Sequence, residues 1–324
     1  MGFNLEAHYP MMIAIVMSFV LALLLGFPSI PLLKRLKAGQ SIREDGPQSH
    51  LSKAGTPTMG GLFLIAAAVV TSLVVEPSNT DLYILIGATV GFGAIGFIDD
   101  FIKVVLKRNL GLRAYQKMLL QILIAAILAI YQLRVSAFGT SIYVPVLDIN
   151  WDIGIFYVPF IIFFTVAVVN GVNLTDGLDG LASGVTLIIS LFLGITAIGF
   201  AYEGIGIFAG AITGACLGFL IYNKKPAKVF MGDTGSLALG GAIAAMAILL
   251  NMTLIIPLVG GIVVAEVVSV IIQVLYFKKT KKRFFKMAPL HHHFEMSGWK
   301  EQKVAFVFWG ITLLLCLVGG WLIW

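Results

Sequence analysis

The chain reads as an all-α, polytopic membrane helix bundle of ten transmembrane helices with a short external β-hairpin, and three observations carry that reading. Hydrophobic residues make up 59% of its 324 residues and charged residues only 12%, with a mean hydropathy of +0.98, well outside what a soluble domain of this length needs. Apolar runs long enough to cross a hydrocarbon core, about 20 residues each, recur from end to end. The basic residues gather between alternate runs.

The spans are predicted near 11–33, 59–76, 82–98, 115–132, 154–171, 182–200, 204–222, 236–252, 254–277 and 304–323. Glu6 and His8, not a basic segment, precede the first run, and no small-residue cleavage site clearly ends it, so it is expected to be a retained helix. Lys34, Arg35, Lys37, Arg43 and Lys53 follow span one; Lys103, Lys107, Arg108, Arg113 and Lys117 follow span three; Lys224, Lys225 and Lys228 follow span seven. The loop after span nine holds Lys278, Lys279, Lys281, Lys282, Arg283, Lys286, Lys300 and Lys303, which leaves Arg134 as the only basic residue on the other side. The positive-inside rule then predicts that these loops are cytoplasmic and that both termini lie outside. The net charge of +6 resides in these loops and not in a soluble basic domain, so no nucleic-acid partner is expected.

Between spans four and five, β-branched and aromatic residues around Gly139 and Pro145 predict the hairpin within 134–152. Cys216 and Cys316 sit in apolar runs without metal-ligand spacing and read as packing residues. No internal repeat stands out, so residues 1–324 are expected to form a single integral membrane domain. Gly91, Gly93 and Gly96 spell G-x-G-x-x-G, but inside an apolar span with no preceding strand, where close helix packing is the better reading. The same holds for Gly210, Gly214 and Gly218, four apart. Asn173-Leu174-Thr175 matches a glycosylation sequon on the side predicted to be cytoplasmic, where it stays unmodified.

Acidic residues are scarce and cluster at the predicted cytoplasmic ends of spans. Asp99 and Asp100 close span three, either as a solvated helix end pairing with Lys103 or as a site. Asn173, Asp176 and Asp179 recur at spacing three; on a helix they would share a face, whereas the interleaved Gly171, Gly177 and Gly180 argue for a broken helix whose backbone approaches a ligand. Asp233 lies between glycines just before span eight, with Thr234 and Ser236 as capping candidates. With Asn173, Asp99 and Asp100 it supplies the hard oxygen ligands that Mg²⁺ prefers, a combination favouring diphosphate chemistry. His291, His292 and His293 would diverge by about 100° each on a helix, which suits hydrogen bonding to phosphates or a nucleotide better than a three-histidine metal site. Lys53 and Lys117 are the cations singled out for phosphate, each beside the start of a span and outside the dense basic runs.

The Asp99-Asp100 pair, the Asn-Leu-Thr-Asp-Gly-Leu-Asp-Gly-Leu-Ala run from Asn173, Met-Gly-Asp-Thr-Gly-Ser from Met231 and Pro-Leu-His-His-His-Phe-Glu from Pro289 occur in one order over nearly the whole chain. In this the chain resembles the polyprenyl-phosphate N-acetylhexosamine-1-phosphate transferases, and its His-His-His-Phe-Glu form looks like the phospho-N-acetylmuramoyl-pentapeptide transferases among them. The resemblance implies an enzyme of the bacterial cytoplasmic membrane, with its active site on the cytoplasmic face. There undecaprenyl phosphate would attack the β-phosphate of UDP-MurNAc-pentapeptide, giving lipid I and UMP, with Mg²⁺ as cofactor and Mn²⁺ as a substitute. It implies Asp99 and Asp100 near the lipid phosphate, Lys117 holding that phosphate, and Asp233 on the metal with Asn173 as second ligand. Asp176 and Asp179 would face the nucleotide sugar, Asp179 and Phe230 lying near uracil and His291, His292 and His293 near its phosphates, with Lys53 and Asn223 also binding substrate. Membrane lipid is a further expected partner and a homodimer one candidate assembly. The rivals are a relative using UDP-GlcNAc and, in another class, a transporter or flippase. Only Glu266 within span nine suits a transporter, against four polar clusters at the loop ends.

Overall fold

The computed structural model describes residues 5–36, 55–107 and 111–324, with side chains from residue 8. Its helices are α1 (Leu5–Arg35), α2 (Gly61–Val75), α3 (Thr80–Val104), α4 (Ala114–Val135), α5 (Tyr157–Thr175), α6 (Leu181–Gly199), α7 (Glu203–Asn223), α8 (Gly232–Leu249), α9 (Ile256–Val259), α10 (Gly261–Thr280), α11 (Leu290–Glu295) and α12 (Glu301–Ile323). Strands β1 (Ser141–Val144) and β2 (Ile149–Asp152) form the predicted hairpin between α4 and α5, antiparallel with Ile142 opposite Trp151.

Among the described residues nine helices are long and apolar enough to cross a bilayer. The remaining predicted span, 59–76, is the 15-residue α2, which rises about 22 Å and falls short of a hydrocarbon core of about 30 Å. Helix cannot start at Met59, whose φ is 70°. Instead the preceding backbone is zipped to the loop before α8: Phe230 N donates to Pro57 O at 2.8 Å, Gly60 N to Phe230 O at 2.9 Å and Gly61 N to Met231 O at 3.0 Å. This non-helical backbone is stable because protein covers it and completes its hydrogen bonds, as the burial of Thr58 and Met59 requires. The ninth predicted span, 254–277, is likewise not one helix. A 3₁₀ turn at Thr253–Ile255 and the short α9 precede a break at Gly260, and α10 starts only at Gly261.

Helix α8 is the axis of the bundle, with every residue from Thr234 to Leu249 buried. Glycine and alanine dominate it, so neighbouring backbones come close: a Cβ on Gly240 would lie 2.6 Å from Val169 Cα of α5, and one on Gly241 2.4 Å from the Phe92 ring of α3. On the facing helix, a Cβ on Gly96 would lie 2.0 Å from Asp233 O. The glycine pattern of α3 is thus a helix-packing stripe. Gly210, Gly214 and Gly218 do the same for α7 against α1, where the added carbons would meet Met11 O at 2.7 Å, Ile15 O at 2.1 Å and Phe19 O at 2.8 Å. Both cysteines are buried. The large exposed side chains, such as Val16 and Leu24 of α1, Leu119 and Ile127 of α4, Leu275 of α10 and Leu314 and Leu317 of α12, line the outer helices as a lipid-facing surface must.

The backbone contact at Gly96 gives a direct test. Gly96→Ala would force α3 from the first turn of α8 and should cost about 1–3 kcal/mol through overpacking, lowering the thermal midpoint of the detergent-solubilised protein. Gly87→Ala, on the same helix with nothing within 4 Å of the new carbon, should not lower that midpoint and should raise it slightly through helix propensity.

Candidate active site

Two carboxylates at the C-terminal end of a helix are unfavourable, because the exposed carbonyls there carry partial negative charge. Asp99 and Asp100 lie near that end, just before the last turn of α3, and are 3% and 4% exposed, so a solvated helix end is excluded. Each is satisfied differently. Asp100 reaches the N-terminus of α8, whose own N-cap residue Met231 offers no side-chain cap. Asp100 Oδ1 accepts the N–H of Asp233 at 3.2 Å, and Oδ2 accepts both the N–H of Thr234 at 2.9 Å and its hydroxyl at 2.7 Å. The capping group of α8 therefore comes from another helix. Gly232 makes room for it: its φ is 74°, and a Cβ there would lie 2.6 Å from Asp100 Oδ2.

Asp99 Oδ1 accepts the N–H of Leu112 at 2.7 Å, from the loop leading into α4, and Oδ2 forms an ion pair with Lys103 one turn along α3. Lys103 also lies 3.1 Å from Asp233 Oδ2, and Lys117, in the first turn of α4, lies 2.9 Å from the same oxygen. Asp233 Oδ1 accepts from Asn173 Nδ2 at 2.9 Å, a nitrogen that also lies 2.8 Å from Ser236 Oγ. One oxygen from each of Asp99, Asp100 and Asp233 falls within a 4.8 Å cluster. Three carboxylates and two ammonium groups thus share one site built from α3, α4, α5 and α8. Asp233 is its most accessible carboxylate, its side chain 21% exposed. The donor set suits a hard divalent cation, which binds through carboxylate oxygens.

Helix α5 ends at Thr175, so Asn173, Asp176 and Asp179 do not share one helical face. Asn173 belongs to the carboxylate cluster, and Asp176 is the C-cap of α5. Asp179 lies in the turn before α6, where its Oδ2 accepts the N–H of Ala227 at 3.1 Å. Asn223 ties the same turn to the loop before α8: its Oδ1 accepts from Gly180 N at 2.9 Å, and its Nδ2 donates to Val229 O at 3.0 Å. Phe230 follows in that loop. The three histidines fan out from α11. His291 is buried, with Nδ1 3.1 Å from Glu266 Oε1 and its ring against Gly177, where a Cβ would lie 2.2 Å from Nε2. His292 Nδ1 lies 2.8 Å from Glu295 Oε2, and His293 Nδ1 accepts the N–H of Lys286 at 3.2 Å. Lys53 lies outside the described residues.

The structure adds residues that the sequence did not single out as functional. Lys103 bridges Asp99 to Asp233, 130 positions away in the chain, and only its spacing of four from Asp99 was visible beforehand. Glu266, which the sequence offered only to a transporter, is fully buried and faces His291. Glu301, at the start of α12, accepts the N–H of Asp179 at 2.8 Å, and nothing in its local sequence marks it.

Residues 82–251 match the model of glycosyl transferase family 4, and residues 53–65 match phospho-N-acetylmuramoyl-pentapeptide-transferase signature 1. The chain is similar to the curated phospho-N-acetylmuramoyl-pentapeptide-transferase of Alkaliphilus oremlandii, 59% identical over 96% of this chain and 97% of that one. It is also similar to those of Clostridioides difficile, 51% identical over 97% of each chain, and Caldicellulosiruptor bescii, 53% identical over 95% of each.

Thr234 isolates the interhelical cap. Thr234→Val keeps the shape but leaves buried Asp100 one donor short, which should cost about 1–3 kcal/mol. Thr234→Ser restores the hydroxyl and should melt close to the parent protein; equal melting of all three would show that the hydroxyl bond contributes nothing.

Proposed function

The chain belongs to the phospho-N-acetylmuramoyl-pentapeptide-transferase family, and on that premise we propose how its two phosphate substrates meet. The enzyme transfers phospho-MurNAc-pentapeptide from UDP-MurNAc-pentapeptide to undecaprenyl phosphate, giving lipid I and UMP in peptidoglycan synthesis. The observation that carries the mechanistic reading is the meeting of Asp99, Asp100, Asp233, Lys103 and Lys117 at one end of an otherwise apolar bundle.

An apolar groove of about 260 Å³ runs between α5, α9 and α10, lined by Phe160, Phe164, Val168, Val172, Pro257 and Val263 among others. Val172 adjoins Asn173, so a polyprenyl chain seated there brings its phosphate toward the carboxylate cluster. In this reading Lys117 and Lys103 receive that phosphate, while Asp99, held by Leu112 N–H, fixes Lys103 in place. A phosphate monoester has a second pKa of about 6 and is largely dianionic at neutral pH, so it needs no general base. Its oxygen forms the new bond to the β-phosphorus of the donor. The bond from that phosphorus to the oxygen shared with the α-phosphate breaks, and UMP leaves with the electron pair. Asp176, Asp179, Asn223, Phe230 and Lys53 serve the nucleotide sugar, Asp179 and Phe230 at uracil, with His291, His292 and His293 toward its phosphates.

Asp233 would hold Mg²⁺, or Mn²⁺ in its place, with Asn173 as second ligand once its amide turns its oxygen inward. Such an ion supplies charge neutralisation between two phosphates that otherwise repel. The site faces the cytoplasm in this reading, because the basic loops adjoin it; α2 together with the buried segment 57–60 that leads into it makes a tenth crossing beside the nine long helices, which leaves both termini outside.

The reaction is tested with purified protein, polyprenyl phosphate, Mg²⁺ and either UDP-MurNAc-pentapeptide or UDP-GlcNAc while UMP is followed. UMP should appear only with the first donor, only with acceptor present, and should stop with chelator; Asp233→Asn should lower turnover at least about a hundredfold, as loss of a charged ligand or its partners does. UMP released without acceptor would replace direct attack by a covalent enzyme intermediate. For the orientation, single cysteines at Lys107, Lys224 and Lys281 should resist an impermeant maleimide applied to whole cells, and one at Val146 should react; the reverse pattern inverts the topology.

A further inference from the structure

We infer that Glu301 and Lys225 are positioning residues for the nucleotide end of the donor, clasping the α5–α6 turn to the loop before α8 so that Asp179 and Phe230 are presented in one fixed geometry. This rests on the donor reading given above.

Glu301 is 3% exposed at the first position of α12. The helix N-terminus favours a negative charge there, but a carboxylate so deeply buried also needs specific partners. Its two oxygens find them on different loops. Oε1 accepts the N–H of Asp179 at 2.8 Å, and Oε2 is paired with the ammonium of Lys225. Two residues beyond Lys225, the N–H of Ala227 returns to Asp179 Oδ2 at 3.1 Å. The contacts close a circuit from Asp179 through Glu301 and Lys225 to Ala227 and back to Asp179. Asn223 adds a second stitch between Gly180 and Val229, immediately before Phe230. Two turns along α12, Trp309 donates its indole N–H to Leu181 O at 3.3 Å and covers Gly184, where a Cβ would lie 2.1 Å from the indole nitrogen. Helix α12 therefore grips the turn at Asp179 and the start of α6 together. Its role is to hold backbone, while substrate contact falls to the residues on that backbone.

The chemistry of the two Glu301 oxygens predicts a graded series. Glu301→Ala removes both contacts, Glu301→Gln keeps a carbonyl oxygen for the Asp179 amide but loses the charge facing Lys225, and the swap Glu301→Lys with Lys225→Glu restores an ion pair while leaving that amide without its acceptor. Full-length protein in detergent is assayed for UMP release, varying donor at saturating polyprenyl phosphate and then the reverse. Glu301→Ala should raise the donor KM by about tenfold or more, with kcat and acceptor KM within about twofold; Glu301→Gln should fall between, and the swap should resemble Glu301→Ala. Lys225→Met serves as the second variant should Glu301→Ala fail to fold, and it too should raise donor KM alone. Equal changes in acceptor KM or kcat, or full recovery in the swap, would overturn the clasp and leave a generic ion pair. Failure of the parent protein to release UMP would instead strike the donor reading on which the clasp rests.

Discussion

Everything at this site depends on where the carboxylate of Asp100 goes. Left near the C-terminus of α3 it would face the carbonyl end of its own helix beside a second carboxylate and a third across the site. The N-terminus of α8 removes that conflict by directing two backbone N–H groups and a hydroxyl at it. One contact thereby joins the unfavourable end of α3 to the favourable, uncapped end of α8. It also sets Asp233, in the first turn of α8, beside Asp99. The close approach of α3 and α8 at Gly96 and the left-handed backbone at Gly232 are the steric conditions for that contact.

Charge balance follows from it. Three carboxylates in a mostly buried cluster repel strongly where the local dielectric is low. Lys103 and Lys117 meet on one oxygen of Asp233 and bring the formal charge of the five groups to −1. On the proposed reading, an entering anionic phosphate draws the lysines to itself, and a divalent cation takes their place beside the carboxylates. The lysines are thus shared between internal ion pairs and any anion that enters, which is what the proposed transfer requires.

Much of this was legible because charge is rare in the chain. Asp99, Asp100, Asn173 and Asp233 stood out against apolar surroundings, and all four are in the cluster. Hydropathy could not reveal that Asp99 and Asp100 do different work, since this depends on which helix end lies opposite each of them. Nor could it find the short α2 or the break at Gly260, because an apolar residue scores the same in helix as in extended backbone covered by protein. Spacing put Asn173, Asp176 and Asp179 on one face only if α5 continued, and it stops at Thr175. Glu301 was invisible for a related reason: at a helix start it looks like any favourable first-turn acid, and only the long-range partner at Asp179 gives it meaning.

The glycine and alanine content of α8, which lets α3 and α5 come so near, also makes it a poor membrane span on its own. It is the least apolar of the nine long helices and the most completely enclosed. The free energy that keeps it in the bilayer comes largely from the helices around it and little from contact with lipid. During biogenesis, then, the segment bearing Asp233 gains its secure place only when its neighbours are already in the membrane to receive it. The chain cannot hold a finished carboxylate cluster before its bundle is assembled.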